Sequence, residues 1–271
     1  MDFTGFKEQI KQNFCLDLDS YKEKQLKRRI DNLMEREKKK DYVEYMGLLL
    51  ASKETYEKFL DTLTINVTEF FRDKEAFTFF ERNILPILIK NKYLKIWSAA
   101  CANGAEPYSV AILLKELTPG CVYQIEATDI DANVLKMAMT GKYNVECLRN
   151  VSPHRLARFF YQDGEHYVIK EQVKQKVFFK KHDLLRDFFG QNYNLIICRN
   201  VVIYFTPQAQ SQLYVKFYHS LAPEGILFTG GSEIILNYAE KGFERIAPCF
   251  YKKVSPPTLT LPPKGGGEKG T

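Results

Sequence analysis

The sequence is short of the residues that build disulfide scaffolds, zinc sites and membrane spans. Its six cysteines, at positions 15, 101, 121, 147, 198 and 249, form no C-x-x-C pair, and its four histidines, at 154, 166, 182 and 219, fall at no metal-ligand spacing. Disulfides, structural zinc and any other bound metal are therefore not expected, and the thiols read as small apolar residues in the reduced state. No apolar run approaches the roughly 18 residues that a membrane span requires. The start, MDFTGFKEQIKQNF, has neither the basic nor the apolar region of a signal peptide. The expectation is a cytoplasmic protein with no direct insertion into a membrane. The loop CANGAEP, which follows the strand-like run LKIWSAA, has neither the G-x-G-x-x-G spacing of a dinucleotide fold nor the G-K-[ST] of a P-loop, which argues against a phosphate cradle there. Nor does one sign of charge dominate. The 39 Lys and Arg against 33 Asp and Glu leave +6, and acid and base balance across residues 1–62, so charge alone indicates neither nucleic acid nor an anionic membrane.

What is present supports a real core. A length of 271 residues with 45% apolar and 14% aromatic side chains fits about two domains. From Ser20 to Lys40, Leu26, Ile30, Leu33 and Met34 fall at helical spacing, and a second helical stretch runs from about Asp41 into Leu63. Residues 1–63 thus read as a small helical domain. After Lys92 short β-branched and aromatic runs alternate with turns and helices: LKIWSAA, YQIEATD, KVFFKKHD, YNLIICRN and GILFTGG. That alternation predicts an α/β domain with a parallel sheet over about 76–253. Between about 141 and 175 it is interrupted by a helical SPHRLARFF and by FYQDGEHYVIK, which reads as an inserted β-hairpin turning at Asp163-Gly164. TINVTEFFRD, within 64–75, joins the two parts and carries more aromatic and polar groups than a linker needs. The segment from 254 to 271, rich in Pro, Gly and Thr, reads as a disordered tail.

The chemistry clusters at strand ends. LKIWSAA runs into CANGAEP, where Gly104 is expected to allow close approach of a ligand and Pro107 suits the first turn of the next helix. Without a phosphate pattern, a cofactor lacking phosphates fits best. Asp129 ends the next strand, where a carboxylate is able to accept both hydroxyls of a ribose, although an acid there is also a common cap or turn residue.

Taken with N-V-T-E-F-F-R, A-T-D-I-D, H-D-L-L and C-R-N-V-V-I-Y-F, in that order over roughly residues 10–252, the chain resembles the chemotaxis receptor methyltransferases, the CheR family. The resemblance implies an S-adenosylmethionine-dependent methyltransferase of Rossmann-like fold with an N-terminal helical domain and an inserted antiparallel β-subdomain. It implies a protein-glutamate O-methyltransferase that transfers a methyl group to glutamate side chains on chemoreceptor cytoplasmic helices and releases S-adenosylhomocysteine. By the same resemblance, Asn66, Thr68 and Arg72 contact the cofactor, as do Glu106, Asp129, Asp183, Leu184, Arg199 and Asn200, while Tyr204 matches the family's active-site tyrosine. Arg72 and Tyr204 are the candidate catalytic residues. The first loop departs from the family pattern: Ala102-Asn103 stands where Ser-Thr is common and Ala105 where an acid precedes Glu106. A weaker cofactor affinity or a less ordered loop is expected, with the site retained.

A glutamate carboxylate with an ordinary pKa of about 4.3 is already ionised at neutral pH, so the reaction needs alignment and exclusion of water rather than a general base. Arg72 suits bidentate contact with a carboxylate, the cofactor's or the substrate's. Tyr204 suits either a hydrogen bond beside the sulfonium or an aromatic wall. On the predicted helix 20–40, Lys22, Arg28, Arg29, Arg36, Lys39 and Lys40 share one stripe, which suggests an acidic partner such as a receptor helix. The hairpin is a second expected docking element, with two exposed edges. Family members that capture a receptor's C-terminal pentapeptide have a longer, more glycine-rich turn, so no pentapeptide binding is expected. A monomer that binds no nucleic acid is expected. The segment Arg199-Asn200-Val201-Val202-Ile203-Tyr204 lacks the Asn/Asp-Pro-Pro-Tyr/Phe of enzymes that methylate base amines. A non-catalytic receptor-binding or cofactor-sensing module is the other alternative.

Overall fold

The computed structural model describes residues 1–64, 68–117 and 120–254. Asn66 and the segment from 255 onward, both singled out above, lie outside them. Four helices open the chain, α1 (Phe3–Phe14), α2 (Glu23–Arg36), α3 (Tyr42–Ala51) and α4 (Lys53–Thr64). The four apolar residues picked out by their spacing, Leu26, Ile30, Leu33 and Met34, are all buried on α2 and close over Phe6, Ile10, Tyr45, Leu49 and Phe59. The helix is shorter than the expected 20–40. Lys38 adopts a left-handed φ of 54°, and the amides of Lys38 and Lys39 bond back to the Glu35 and Met34 carbonyls at 3.0 and 2.8 Å, closing the last turn. Lys39 and Lys40 therefore lie beyond the helix and Lys22 is its N-cap, so the expected six-residue stripe is not one helical face. The second stretch divides at Ser52, whose hydroxyl accepts the Thr55 amide and starts α4.

A helical passage follows: α5 (Lys74–Phe79), a π turn and α6 (Leu85–Leu88). Then come β1 (Tyr93–Ala99), α7 (Ala105–Leu117), β2 (Val122–Asp129), α8 (Ala132–Thr140), β3 (Lys142–Tyr143), α9 (Pro153–Phe159), β4 (Phe160–Asp163), β5 (His166–Ile169), α10 (Glu171–Lys174), β6 (Val177–Lys181), β7 (Tyr193–Cys198), α11 (Pro207–Ser220), β8 (Leu221–Thr229), β9 (Phe243–Ala247) and β10 (Phe250–Lys253). The main sheet has seven strands in the order β6-β2-β1-β7-β8-β10-β9. The first five run parallel, and β10 pairs antiparallel with β8 and β9. This antiparallel ribbon was not expected from the sequence. Alternation along β1 sends Leu94 and Ile96 into the core beneath α5 and α7, and Trp97 and Ala99 into the core beneath α11, so both faces are covered. Strand order reverses between β1 and β7, which opens a crevice at their carboxyl ends.

The inserted hairpin is β4–β5, but its turn is Gly164-Glu165, because Asp163 pairs with His166 and Gly164 has φ 61°. It has one free edge rather than two, since β3 pairs with the outer side of β5. The aromatic residues of the joining segment have a packing reason. Phe70 and Phe71 are buried in the sheet core; the Phe70 amide donates to the Cys147 carbonyl at 2.9 Å and the Phe71 amide to Ser109 Oγ at 3.0 Å.

Candidate active site

One cavity at the carboxyl ends of β1, β2 and β7 gathers Thr68, Arg72, Glu106, Asp129, Asp183, Leu184, Arg199, Asn200 and Tyr204. These residues come from five separate stretches of sequence, and the crevice where the strand order reverses brings them together.

The first wall is the loop after β1. Ala100, Ala102 and Gly104 have φ values of 61°, 47° and 84°, a conformation that costs an alanine about 1 kcal/mol and persists because neighbours fix it. The Ala102 amide donates to Asp129 Oδ2 at 2.9 Å, and the Cys101 amide to the Thr128 carbonyl at the same distance. A side chain at Gly104 would meet Ala138 Cβ at 2.9 Å and the Phe179 ring at 3.1 Å. The close approach that needs glycine is thus protein packing of α7 against α8 and β6, not the ligand contact expected from the sequence. Asn103 accepts the Ala105 amide at 3.1 Å, an Asx turn that leads the loop into α7, while Tyr143 donates to the Asn103 carbonyl at 2.9 Å. The expected loss of loop order is therefore offset by Asn103 itself. Ala105 is fully buried.

Asp129 is 5% exposed. Its oxygens accept the Ala102 and Asp131 amides at 2.9 and 3.1 Å. Burial pushes its carboxyl above the usual range against the pull of those amides. Glu106, in the first turn of α7, accepts the Ser98 hydroxyl at 2.7 Å and lies 3.7 Å from Arg199 Nη1; burial likewise raises its pKa, with Arg199 and Ser98 opposing. Asp183 is raised by burial too.

Arg199 follows β7 and is buried. It donates to the Arg72 carbonyl at 3.1 Å and to Asp73 Oδ2 at 3.2 Å, and its guanidinium lies over Phe228 at 4.6 Å. It therefore pins the joining segment, and with it Arg72, to the sheet. Its Nε is buried with no hydrogen-bond partner among the described residues, as is Nε2 of His182, where burial lowers the imidazole pKa.

Another wall comes from the N-terminal helices. Tyr21 pairs with Phe205 as an antiparallel bridge, the Lys22 amide donates to the Tyr204 carbonyl at 2.9 Å, and the Thr206 amide donates to the Ser20 carbonyl at 2.8 Å. Arg29 lies over the Tyr204 ring at 4.7 Å and donates to the Leu63 carbonyl at 2.9 Å. This corrects the expectation that Arg29 belongs to an open basic surface. Tyr21, Arg29 and His182 were not read from the sequence as site residues, nor was Glu233, which is buried behind Asn200–Ile203. Arg29 carried a signal in its place on the basic stripe and His182 in its place in H-D-L-L; Tyr21 and Glu233 carried none.

The residues present fit S-adenosylmethionine. Asp129 offers acceptors for ribose hydroxyls, Glu106 a carboxylate for an ammonium, Arg72 a cation for a carboxylate, and Ile130 and Leu184 apolar surface. Residues 66–248 match the family model described as CheR methyltransferase, SAM binding domain, and residues 1–64 match CheR methyltransferase, all-alpha domain. Fold and site together define an S-adenosylmethionine-dependent methyltransferase. Relatives of the whole chain carry the name chemotaxis protein methyltransferase. One from Listeria monocytogenes is 37% identical, covering 93% of this chain and 97% of its own, and one from Borreliella burgdorferi is 32% identical, covering 89% and 90%. A third, chemotaxis protein methyltransferase 1 of Pseudomonas aeruginosa, is 31% identical over 87% of this chain and 91% of its own. The chain belongs to the CheR methyltransferase family.

Proposed function

We propose that this chain is a protein-glutamate O-methyltransferase that acts as a cytoplasmic monomer on the cytoplasmic helices of chemoreceptors. The observation that carries the reading is the convergence of Arg72 and Tyr204 on a cavity that already holds Asp129 and Glu106. The relatives' name supplies the chemotactic context. In this reading Asp129 receives the ribose hydroxyls, Glu106 the ammonium group, Thr68 and Arg72 the methionine portion, and Asp183, Leu184, Arg199 and Asn200 complete the pocket, with Asn66 assigned by family pattern. When bound, S-adenosylmethionine supplies an electrophilic methyl group.

The remaining work belongs to the protein. A substrate glutamate arrives ionised, with a pKa of about 4.3, and needs no base; His182, with its lowered pKa, is not required as one. Arg72 holds a carboxylate in line for attack, its main chain fixed by Arg199. Tyr204, backed by Arg29, helps to align that carboxylate through its hydroxyl, and its ring walls off water together with Leu63 and Phe205. In this reading residues 1–63 are the helical domain, 64–75 the joining segment that contributes to the cofactor site, and 76–253 the methyltransferase domain.

The test is transfer of labelled methyl from S-adenosylmethionine to receptor fragments, read as alkali-labile methyl ester. Label that appears on glutamate supports the proposal. Cofactor binding without any transfer would favour a non-catalytic module.

A further inference from the structure

Glu233 is a buried carboxylate that the chemistry above does not use. It is 4% exposed and follows β8, in GGSEI. Five main-chain amides point at it. Oε2 accepts from Asn200 and Gly230, both at 2.8 Å, and Oε1 accepts from Val201 at 2.9 Å, Val202 at 2.8 Å and Ile203 at 3.4 Å. Four of these donors are consecutive, in the short stretch that begins at Asn200 with a left-handed φ of 60° and enters the 3-10 turn Val202–Tyr204.

Consecutive amides wound in this way form a concave anion site, a nest, which in many folds receives a phosphate. Here the protein fills the nest with its own side chain. An unfilled nest of buried amides would be costly, because each donor without an acceptor forfeits its desolvation energy. The segment therefore keeps this conformation only while the carboxylate is present. The same segment carries Asn200 at one end and Tyr204 at the other, both on the cavity wall. Gly230 is the complement of the arrangement, since a Cβ there would lie 2.7 Å from Glu233 Oε2 and 3.0 Å from the Asn200 amide.

We propose that Glu233 is a positioning residue that sets the Asn200–Tyr204 segment for methyl transfer, acting as an internal anion in a main-chain nest without touching substrate. It follows that this loop takes no phosphate or other external anion.

Two variants of the full chain test this. Glu233→Gln keeps size and one acceptor but turns an NH2 toward donors, so one side of the nest opens. Gly230→Ala keeps the carboxylate but displaces it. In both, amide hydrogen exchange at residues 200–203 is expected to accelerate by about tenfold or more, while amides in the centre of β1 and β7 keep wild-type protection. In methyl transfer, kcat should fall by about tenfold or more with a smaller change in substrate KM, and Glu233→Asp should recover part of the loss. Wild-type exchange at residues 200–203 in folded Glu233→Gln would overturn the proposal, as would wild-type kcat in both variants. Failure of Glu233→Gln to fold leaves Gly230→Ala to decide by the same two readings. The kcat reading rests on the proposed methyl transfer, whereas the exchange reading does not, so a failure of one is distinguishable from a failure of the other.

Discussion

The guanidinium of Arg29 sits 4.7 Å from the centre of the Tyr204 ring and is tied by one nitrogen to the Leu63 carbonyl at the end of α4. A helix of the N-terminal unit thus supports the face of the tyrosine assigned to the reaction, with a cation–π contact of about 0.5–2 kcal/mol.

The consequence for charge reversal is that Arg29 and Arg36 part company. Arg29→Glu is expected to lower kcat, because it removes the stack on Tyr204 and places an acid beside the cavity. Arg36 is exposed at the end of α2, and Arg36→Glu is expected to raise the KM for receptor fragments at low salt with kcat unchanged. Steady-state kinetics on the two single variants decide this. Equal effects on kcat would return Arg29 to the surface role.

Asp129→Ala is expected to weaken S-adenosylmethionine binding by about tenfold or more, the equivalent of about 1.5–3 kcal/mol for charge-assisted hydrogen bonds. The raised pKa of Asp129 adds a pH signature. The ionised form accepts the hydroxyls, so affinity is full above the raised pKa and falls as pH drops through it, at a higher pH than for an ordinary carboxylate near 3.9. For the unliganded fold the sign is opposite: with the folded pKa above the unfolded one, this group's contribution to stability is complete below the unfolded pKa and is lost as pH rises through the folded one. Calorimetric titration across pH on wild type and Asp129→Asn checks the first statement and thermal unfolding across pH on the same pair checks the second; unchanged affinity in the folded variant removes Asp129 from the site.

Tyr204→Phe should lower turnover more than cofactor affinity, and equal turnover would reduce the tyrosine to a wall. For Arg72→Ala, the loss in kcat/KM is expected to exceed the loss in cofactor affinity measured separately. If the two losses are equal, Arg72 has no separate role toward the substrate carboxylate.

A free pentapeptide from a receptor C-terminus is expected neither to bind nor to compete with methylation. The hairpin turn is only Gly164-Glu165, and β3 occupies the outer side of β5, which leaves β4 as the one edge for strand addition. A micromolar Kd abolished by mutations in β4 would overturn this.

Much of the parallel sheet was legible because its central strands β1, β7 and β8 are buried on both faces over most of their length and so appear as dense apolar runs flanked by turns. The C-terminal end of α2 was misread and the β9–β10 ribbon missed for one conformational reason. Lys38 takes the left-handed position at a helix end that glycine usually marks, so no residue announced the stop. Likewise β9 and β10 meet at Pro248-Cys249, where Cys249 with φ 68° replaces the expected glycine. Within the cavity, the residues carried by motifs beside strand ends were readable. Tyr21, Arg29 and Glu233 were not, because each reaches the site from another element, and one of them acts only through main-chain amides that no side-chain pattern encodes.

The bridge between Tyr21 and Phe205, with its flanking bonds from Lys22 and Thr206, bears on how the protein is to be divided for experiment. A fragment beginning after residue 64 would retain all seven strands of the main sheet yet expose the backs of Tyr204 and Phe205 to water and leave Thr206 without the carbonyl its amide now meets. The catalytic unit, in the sense of the smallest piece with a closed pocket, is then not the sheet domain by itself but the sheet domain with the first helices still attached.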